Sequence, residues 1–311
     1  MKMENPKVSI ISVCYNILKA GRKAYFKQML ESVENQTYKN IEHVIVDGKS
    51  NDGSVEYIKK LIKGKKNVKF ISEKDSGIYD AMNKGGDLAS GKYIAFLNSD
   101  DFYDDKKGVE ETVKYLEKKQ ADYSYGDIKV LPLDASKKHK VVKAKLANFI
   151  ARMPFGHQSY FLKRDIFIKE GKFDEKTFKS SADYDLIVRV ILKGYKGVFV
   201  PINFVSFREG GFSHENDFSF QEVILSVKKN CSKYGVYSDS KWEEFVRKKR
   251  LPLNVLLKLL VNKDNKIKLK FFFEIIKIYI RKFLKFLFIL NFGKNTHIKI
   301  LGITVYKKRK K

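Results

Sequence analysis

The sequence predicts an α/β fold: a mixed, mostly parallel sheet flanked by helices, followed by a basic amphipathic helical region. Three observations carry this. Apolar runs and amphipathic stretches alternate as β-α-β-α-β-α-β over the first hundred residues, and that alternation needs crossover helices and hence parallel strands. The strand-like runs are apolar almost throughout, as strands covered on both faces are. Their carboxyl ends open into short loops of Asp, Ser, Asn and Gly, at the sheet edge where open α/β sheets hold ligands.

The first strand reads over Lys7 to Tyr15 (KVSIISVCY) and closes at Asn16. A helix follows from about Arg22 to Asn35, with Phe26, Met29, Leu30 and Val33 on one side. Ile41 to Val46 (IEHVIV) is a second buried strand. It runs into Asp47-Gly48-Lys49-Ser50-Asn51-Asp52-Gly53-Ser54. Such a loop can be a plain strand-to-helix turn capped by Asp52 or Ser50. At this sheet edge an Asp can also accept from the NH of a uracil-like base or from a ribose hydroxyl, and small residues let a ring approach the backbone. A helix with Val55, Ile58, Leu61 and Ile62 leads to a third strand, Val68 to Ser72.

The stretch EKDSGIYDAMNKGGDLASGKYIAFLNSDD, from Glu73 to Asp101, reads as an acidic loop, a helix over Ile78 to Ala89, a glycine turn and a strand from Lys92 to Leu97. Asn83 and Lys84 can face a sugar-phosphate site, or Lys84 can form a surface pair with Asp80 one turn away. Asp100 and Asp101 end the strand. Two carboxylates there are costly without a positive partner. Their oxygens suit Mg²⁺ or Mn²⁺, which keep coordination positions open for phosphate oxygens.

Gly108 to Lys119 reads as a helix, Ala121 to Leu131 as a strand, and Lys137 to Lys145 as a basic loop. His157 and Gln158 follow a Pro-Phe-Gly turn and precede the strand Tyr160 to Leu162. A helix opens at Ser180-Ser181-Ala182-Asp183-Tyr184-Asp185. Acids in a first helical turn are stabilising in themselves. One of these two can instead be a general base, held well at the amino end of a rigid helix. Val198 to Phe207 is a strand, and Ser206 to His214 a glycine-bearing loop that can close over a diphosphate through Arg208 or His214. A helix from about Asp217 to Lys233 completes a first domain, taken as residues 1–235.

Residues 236–311 form the second region. The chain carries a net charge of +27. From Lys241 to Lys311 there are 21 Lys and Arg against 4 Asp and Glu, a net +17, which leaves +10 for the first 240 residues. In Lys270 to Leu290 (KFFFEIIKIYIRKFLKFLFIL), Lys270, Glu274, Lys277, Arg281 and Lys285 form one helical stripe and, apart from Lys282, the other faces are apolar and aromatic. The longest uninterrupted apolar run is five residues, Phe286 to Leu290, too short for a span. The pattern suits a helix lying in the headgroups of an anionic bilayer, or one packed on a protein surface. His297 to Tyr306 alternates like a strand, or like a hairpin with Gly302 as its turn. The aromatics sit in an apolar face rather than on an exposed sheet, so nucleic acid is not the expected partner. Cys14 and Cys231 offer neither a disulfide framework nor zinc spacing. The opening MKMENPKVSI has no apolar signal region. The expected location is cytoplasmic, peripheral to the inner face of the cell membrane.

In combination and order, these motifs resemble the family 2 glycosyltransferases of the GT-A (nucleotide-diphospho-sugar transferase, Rossmann-like) fold, of the kind that build bacterial surface polysaccharides. The likeness covers about the first 235 residues. It rests on Cys14-Tyr15-Asn16, the Asp47–Ser54 loop, EKDSGIYDAMNKG, SGKYIAFLNSDD, FGHQS at Phe155 to Ser159 and ADYDL at Ala182 to Leu186. It implies an inverting transfer from a nucleotide-diphosphate sugar, a UDP-sugar first, to a hydroxyl of a glycan or lipid-linked acceptor. By position it implies Asp47 on the base with Asp52 nearby, and Tyr15, Asn16, Asp75, Asn83, Lys84 and Arg208 around the nucleotide-sugar. Asp100 would sit on the ribose or diphosphate side, Asp101 on a divalent Mg²⁺ or Mn²⁺, and His157 and Gln158 at the acceptor or diphosphate. Asp183 would be the base, with Asp185 the alternative because Ala182 stands where the family commonly has Glu. Asn98 stands where many members have a first Asp. Two other classes compete. A sugar nucleotidyltransferase would need a glycine- and base-rich triphosphate loop near the first strand, and Tyr15 to Arg22 is poor in that character. A non-catalytic membrane-bound scaffold would release no nucleotide from any donor.

Overall fold

The structure, a computed structural model, describes residues 5–134, 136–210 and 218–249, and beyond these 251–252, 254–255, 258, 297–300 and 303–307. Strands β1 (Val8–Cys14), β2 (Ile41–Asp47), β3 (Val68–Ser72) and β4 (Tyr93–Phe96) alternate with helices α1 (Lys23–Glu34), α2 (Ser54–Ile62) and α3 (Ile78–Leu88). β1 lies between β2 and β4, and all three pairings out to β3 are parallel. Every residue of β1, β2 and β4 is buried, which is why these runs show no polar alternation. Side chains still alternate between two layers. Ile11 and Val13 face α3 and the later helices, while Val8, Ile10 and Cys14 face α1. The register sets Cys14 beside Asp47 and Asp47 beside Ser72, so the loops after these strands meet at one edge.

α3 presses on this sheet through Gly85 and Gly86. A Cβ on Gly85 would lie 2.4 Å from the Ile11 side chain, and one on Gly86 2.4 Å from Phe167. The glycine pair therefore sets how close the helix approaches and where its first turn ends up.

Past β4 come β5 (Phe102–Tyr103), α4 (Gly108–Lys119), β6 (Tyr123–Tyr125), β7 (Ile128–Leu131), β8 (Lys140–Val142), β9 (Phe161–Lys163), α5 (Arg164–Lys169), α6 (Ala182–Leu192), β10 (Gly197–Phe199) and β11 (Val205–Arg208). The main sheet has seven strands in the order β10-β6-β9-β4-β1-β2-β3, with β9 antiparallel to both its neighbours. A second sheet runs β5-β11-β7-β8.

Two expected strands are each divided between the sheets. Ala121 to Leu131 breaks at Gly126, and Val198 to Phe207 breaks around Pro201, which has no N–H for a ladder. The basic segment Lys137 to Lys145, expected as a loop, contains β8, paired antiparallel with β7.

α6 is buried nearly all round, with Leu186, Ile187, Val188, Val190, Ile191 and Leu192 each at most 5% exposed. α7 (Phe218–Cys231) packs onto it, and α8 (Asp239–Arg247) packs onto α7. Core packing carries on past residue 235. Trp242, Phe245, Val246, Leu251 and Val255 belong to the same buried cluster as α6. Tyr237, Trp242 and Phe245 make a trio of edge-on rings with centroids 5.1–5.7 Å apart. Of the strand or hairpin expected from His297 to Tyr306, the hairpin is found, as β12 (His297–Ile300) paired antiparallel with β13 (Ile303–Lys307). The expected amphipathic helix of Lys270 to Leu290 lies outside the described residues. Among the described residues no helix is long and apolar enough to cross a membrane.

Candidate active site

The carboxyl ends of β1, β2 and β3 carry the first group of expected residues. Asp47 ends β2 fully buried, and it organises the loop that follows. Its carboxylate accepts from Ser50 N–H at 2.9 Å and Ser72 Oγ at 2.7 Å, and also from the Ser50 hydroxyl. Asn16, at φ 47°, is stitched to the same loop. Its N–H donates to Ser50 Oγ at 2.7 Å and its Oδ1 accepts from Asn51 N–H at 3.1 Å. Asp52 accepts from Lys19 N–H at 2.7 Å and Ser54 N–H at 3.0 Å. Asp47, Asn16 and Asp52 were expected on the nucleotide, but here they hold the two loops together. Asp47 has no exposed atom to offer, because the loop it organises folds over it.

Tyr15 and Asp75 are what this scaffold presents. The Tyr15 ring is 60% exposed. Asp75 takes Gly77 N–H at 3.0 Å on one oxygen. Burial, with the charges of Asp80 and Asp47, raises its pKa although that bond and Lys84 pull the other way. Between them lies Gly48, where a Cβ would stand 2.4 Å from an Asp75 oxygen and 3.3 Å from the Tyr15 ring. Only a residue without a side chain fits this floor.

Asn83 and Lys84 do not join the site. Asn83 latches the turn after α5, donating to Phe173 O at 2.9 Å and Glu175 Oε2 at 3.0 Å and accepting from Phe173 N–H. Lys84 pairs with Glu73 at 3.1 Å and Asp80 at 3.6 Å. Both amphiphilic groups are spent on local structure.

β4 ends at Asn98-Ser99-Asp100-Asp101, and its two carboxylates part ways. Asp101 is fully buried and accepts from Gln158 Nε2 at 2.8 Å and Arg208 N–H at 3.0 Å. Burial, then the neighbouring charge of Asp100, raises its pKa to about 7 against the pull of those hydrogen bonds. Asp100 instead lines a cavity of about 440 Å³. Its Oδ2 lies 3.3 Å from Arg22 Nη1 at the start of α1. Arg208 also lines the cavity. Its guanidinium sits over the rings of Tyr25 at 4.2 Å and Phe102 at 4.8 Å and bonds the Asp100 carbonyl. Asp101, expected on the metal, thus backs the site, and the carboxylate that faces the cavity is Asp100.

On another wall of the cavity stands Asp183, in the first turn of α6. Its Oδ1 accepts from Tyr79 OH at 2.9 Å and Tyr184 N–H at 2.8 Å. Its Oδ2 lies 3.2 Å from His157 Nδ1. Burial opposes charge on the His157 ring. The hydrogen bond and charge of Asp183, with Asp101 and Asp100 farther off, outweigh it and raise the pKa. His157 Nε2 is buried without a partner, as is Asn98 Oδ1. Asp185 points the other way. It is fully buried and accepts from Arg189 Nε at 2.8 Å, Ser226 Oγ at 3.0 Å and Asn230 Nδ2 at 2.9 Å. Two residues, a little over half a turn of helix, therefore separate a cavity-facing carboxylate from a structural one on the opposite face.

A family profile described as "Glycosyl transferase family 2" matches residues 9–173, about half of the chain and the part that builds the sheet edge. This chain belongs to the family 2 glycosyltransferases. It is 32% identical over 205 residues to an uncharacterized glycosyltransferase of Methanocaldococcus jannaschii, covering 63% of this chain and 68% of that one. It is 32% identical over 149 residues to an uncharacterized glycosyltransferase of Haemophilus influenzae, covering 48% of this chain and 57% of the relative. Among solved structures it resembles S. aureus TarS 1-349 in complex with UDP-GlcNAc, with a TM-score of 0.59 and 16% identity over 88% of this chain and 81% of that one. It also resembles the mannosyltransferase PcManGT from Pyrobaculum calidifontis in complex with GDP-Man and Mn²⁺, with a TM-score of 0.53 and 14% identity over 83% and 88% of the two chains. The fold of this glycosyltransferase is GT-A.

A divalent metal fits the residues at the end of β4 in this family 2 enzyme. Asp100 faces the cavity, Asn98 Oδ1 is a buried acceptor without a partner, and Asp101 adds a buried carboxylate whose pKa burial and the charge of Asp100 raise to about 7. Among the described residues no three His, Cys, Asp or Glu groups form a complete ligand set. Phosphate oxygens and water ordinarily complete such shells. Arg22 and Tyr79 were not singled out from the sequence, and Asn98 was noted only as standing where many members have a first Asp. Tyr79 reaches Asp183 across 104 residues, a separation that no local pattern encodes. Arg22 could have been found as the basic residue opening the helix after the first strand.

Proposed function

We propose that this glycosyltransferase moves a sugar from a nucleotide-diphosphate sugar, with UDP-sugars the donor class to test first, to a hydroxyl of a glycan or lipid-linked acceptor. The observation that carries the reading is one cavity lined by both Asp100 and Asp183, the first flanked by Arg22 and the second held by Tyr79 and His157. Solved structures of similar fold hold UDP-GlcNAc and GDP-Man, which supports a donor of this chemistry.

In the proposed reaction the acceptor hydroxyl lies against Asp183 Oδ2, which takes its proton as the oxygen attacks the anomeric carbon. The bond from that carbon to the diphosphate oxygen breaks, and the nucleoside diphosphate leaves with the electron pair. A single displacement inverts the anomeric configuration. Tyr79 and the Tyr184 N–H fix the carboxylate on its other oxygen, so it does not turn away between substrates. Arg22 and Arg208 place positive charge beside Asp100, where the departing diphosphate gathers negative charge. A divalent metal, held by Asp100 and Asn98 with Asp101 behind, would supply further charge neutralisation for the leaving group. Tyr15, Gly48 and Asp75 form the floor for the base and ribose.

The same reading puts the basic C-terminal region on an anionic membrane, at the cytoplasmic face, with cell-surface polysaccharide as the product class. The test is turnover. The full chain is incubated with UDP-, GDP- and dTDP-sugars and Mn²⁺, with and without lipid-linked oligosaccharide, and nucleoside diphosphate release is followed. Release above a no-enzyme control with one donor class is expected; none with any donor and acceptor would overturn the reading.

A further inference from the structure

We propose that the hairpin of β7 and β8 is a second docking surface for an anionic lipid bilayer, and that it seats the mouth of the cavity against the membrane. From 133 to 143 every described residue is exposed. Three are apolar and stand well out, with Leu133 at 78%, Val141 at 46% and Val142 at 47% exposure. Around them are Lys137, Lys138, Lys140, Lys143 and Lys145 against the single acid Asp134. Lys143 is tied to Asp127 at 2.7 Å and Lys137 lies 3.7 Å from Asp134. Lys138, Lys140 and Lys145 have no acidic partner among the described residues.

β8 is an edge strand, and lysines on an edge also guard against pairing with another chain. That accounts for the lysines. It does not account for three exposed aliphatic side chains among them, which an edge kept apart from other chains would avoid. Apolar side chains interleaved with lysines are what the headgroup layer of an anionic bilayer accepts, with the aliphatics below the phosphates and the ammonium groups level with them. The hairpin has no Phe, Tyr or Trp from 133 to 145 for bases to stack on, so single-stranded nucleic acid is a poorer match.

The register links this surface to the cavity. Val142 stands opposite Ile128 and Val141 opposite Lys129, so Val142 shares a face of the sheet with Ile128 while Val141 lies on the other, and the hairpin meets the bilayer by its open edge. Ile128 lines the cavity, as do Ala151, Arg152 and Met153 just after the hairpin. A bilayer on the hairpin would bring this apolar wall to the lipid surface, where an acceptor with a lipid anchor would enter. The inference does not depend on the proton chemistry at Asp183 or on the C-terminal region.

The test uses the full chain with an environment-sensitive fluorophore on Leu133→Cys, a position open to solvent; Cys14 and Cys231 are buried. A second labelled chain carries Lys60→Cys on α2 as reference. Vesicles of phosphatidylcholine with and without phosphatidylglycerol are added, and binding is read separately by sedimentation. A blue shift at 133 with anionic vesicles alone, without one at 60, is expected. Lys137→Glu/Lys138→Glu/Lys140→Glu is expected to abolish that shift and weaken sedimentation at least about fivefold. Sedimentation without a shift at 133, equal shifts on both vesicle types, or no binding to anionic vesicles would each overturn the proposal. Nucleotide release by the same preparations on a soluble acceptor is scored independently, so failed docking and failed glycosyl transfer are told apart.

Discussion

His157 Nδ1 lies 3.2 Å from Asp183 Oδ2, the carboxylate oxygen proposed to take the acceptor's proton. The other oxygen of Asp183 is already occupied by Tyr79 and the Tyr184 N–H. A charged ring at His157 makes Asp183 a weaker base, and a neutral one releases it.

The pKa of His157 is raised, burial being outweighed by Asp183. Turnover is therefore expected to climb as pH rises through a value above the ordinary imidazole range of about 6.5. His157→Gln keeps an N–H for Asp183 but removes the charge, and it should move that limb to lower pH. The sign for stability follows from the same shift. A base whose folded pKa is raised lends stability that is full below about 6.5 and lost as pH rises through the folded value. The melting-temperature gap between wild type and His157→Gln should accordingly narrow on the alkaline side. A pH–rate profile unmoved by the substitution would remove His157 from this role.

Arg22 Nη1 sits 3.3 Å from Asp100 Oδ2, an oxygen that a metal at Asp100 would need. The pair is partly exposed, so its worth is modest. Arg22→Gln is expected to tighten Mn²⁺ binding about two- to fivefold in the absence of donor, read by paramagnetic resonance of free Mn²⁺. Weaker Mn²⁺ binding in the variant would mean that Arg22 supports the metal instead of opposing it.

Asp185 ties α6 to α7 through Ser226 and Asn230 and is paired with Arg189. Removing one member of a buried pair leaves the other uncompensated, at a cost of about 3–5 kcal/mol. Asp185→Ala should thus lower denaturant stability by that order, while the folded fraction keeps turnover within an order of magnitude. Turnover lost from a fully folded variant would return Asp185 to the chemistry.

The parallel sheet, its loop-bearing edge and the first turn of α6 were legible in the sequence, because each is written in local pattern. Apolar runs give the buried strands, and acids at strand and helix ends mark the site. Which acid faces the cavity was not legible. Asp100 and Asp101 are adjacent, and only the partners of Asp101, Gln158 and Arg208, far along the chain, turn it inward. The same holds for Asn83, whose bond to Phe173 spans 90 residues. Asp183 and Asp185 are two residues apart on one helix, and it is the contacts of Asp185 with Ser226 and Asn230 of α7 that set it apart.

The expected domain boundary at 235 has a consequence for truncation. Trp242, 1% exposed, and Val255, fully buried, lie beyond it in the core cluster. A chain ending at 235 should melt lower than one ending after 258, because it lacks Trp242 and its neighbours. Trp242→Ala alone should cost about 3–5 kcal/mol. Equal melting temperatures for the two truncations would show that the α8 packing contributes little.

Asp183 is proposed as the base of a glycosyl transfer whose donor binds elsewhere in the same cavity. The most direct measurement sets Asp183→Asn beside wild type, with nucleotide-sugar binding read by calorimetry and nucleoside diphosphate release read on the same samples. Release should fall by about two to four orders of magnitude while the donor's binding enthalpy and affinity stay at wild-type values. Release near the wild-type rate, or donor binding lost together with turnover, would contradict it.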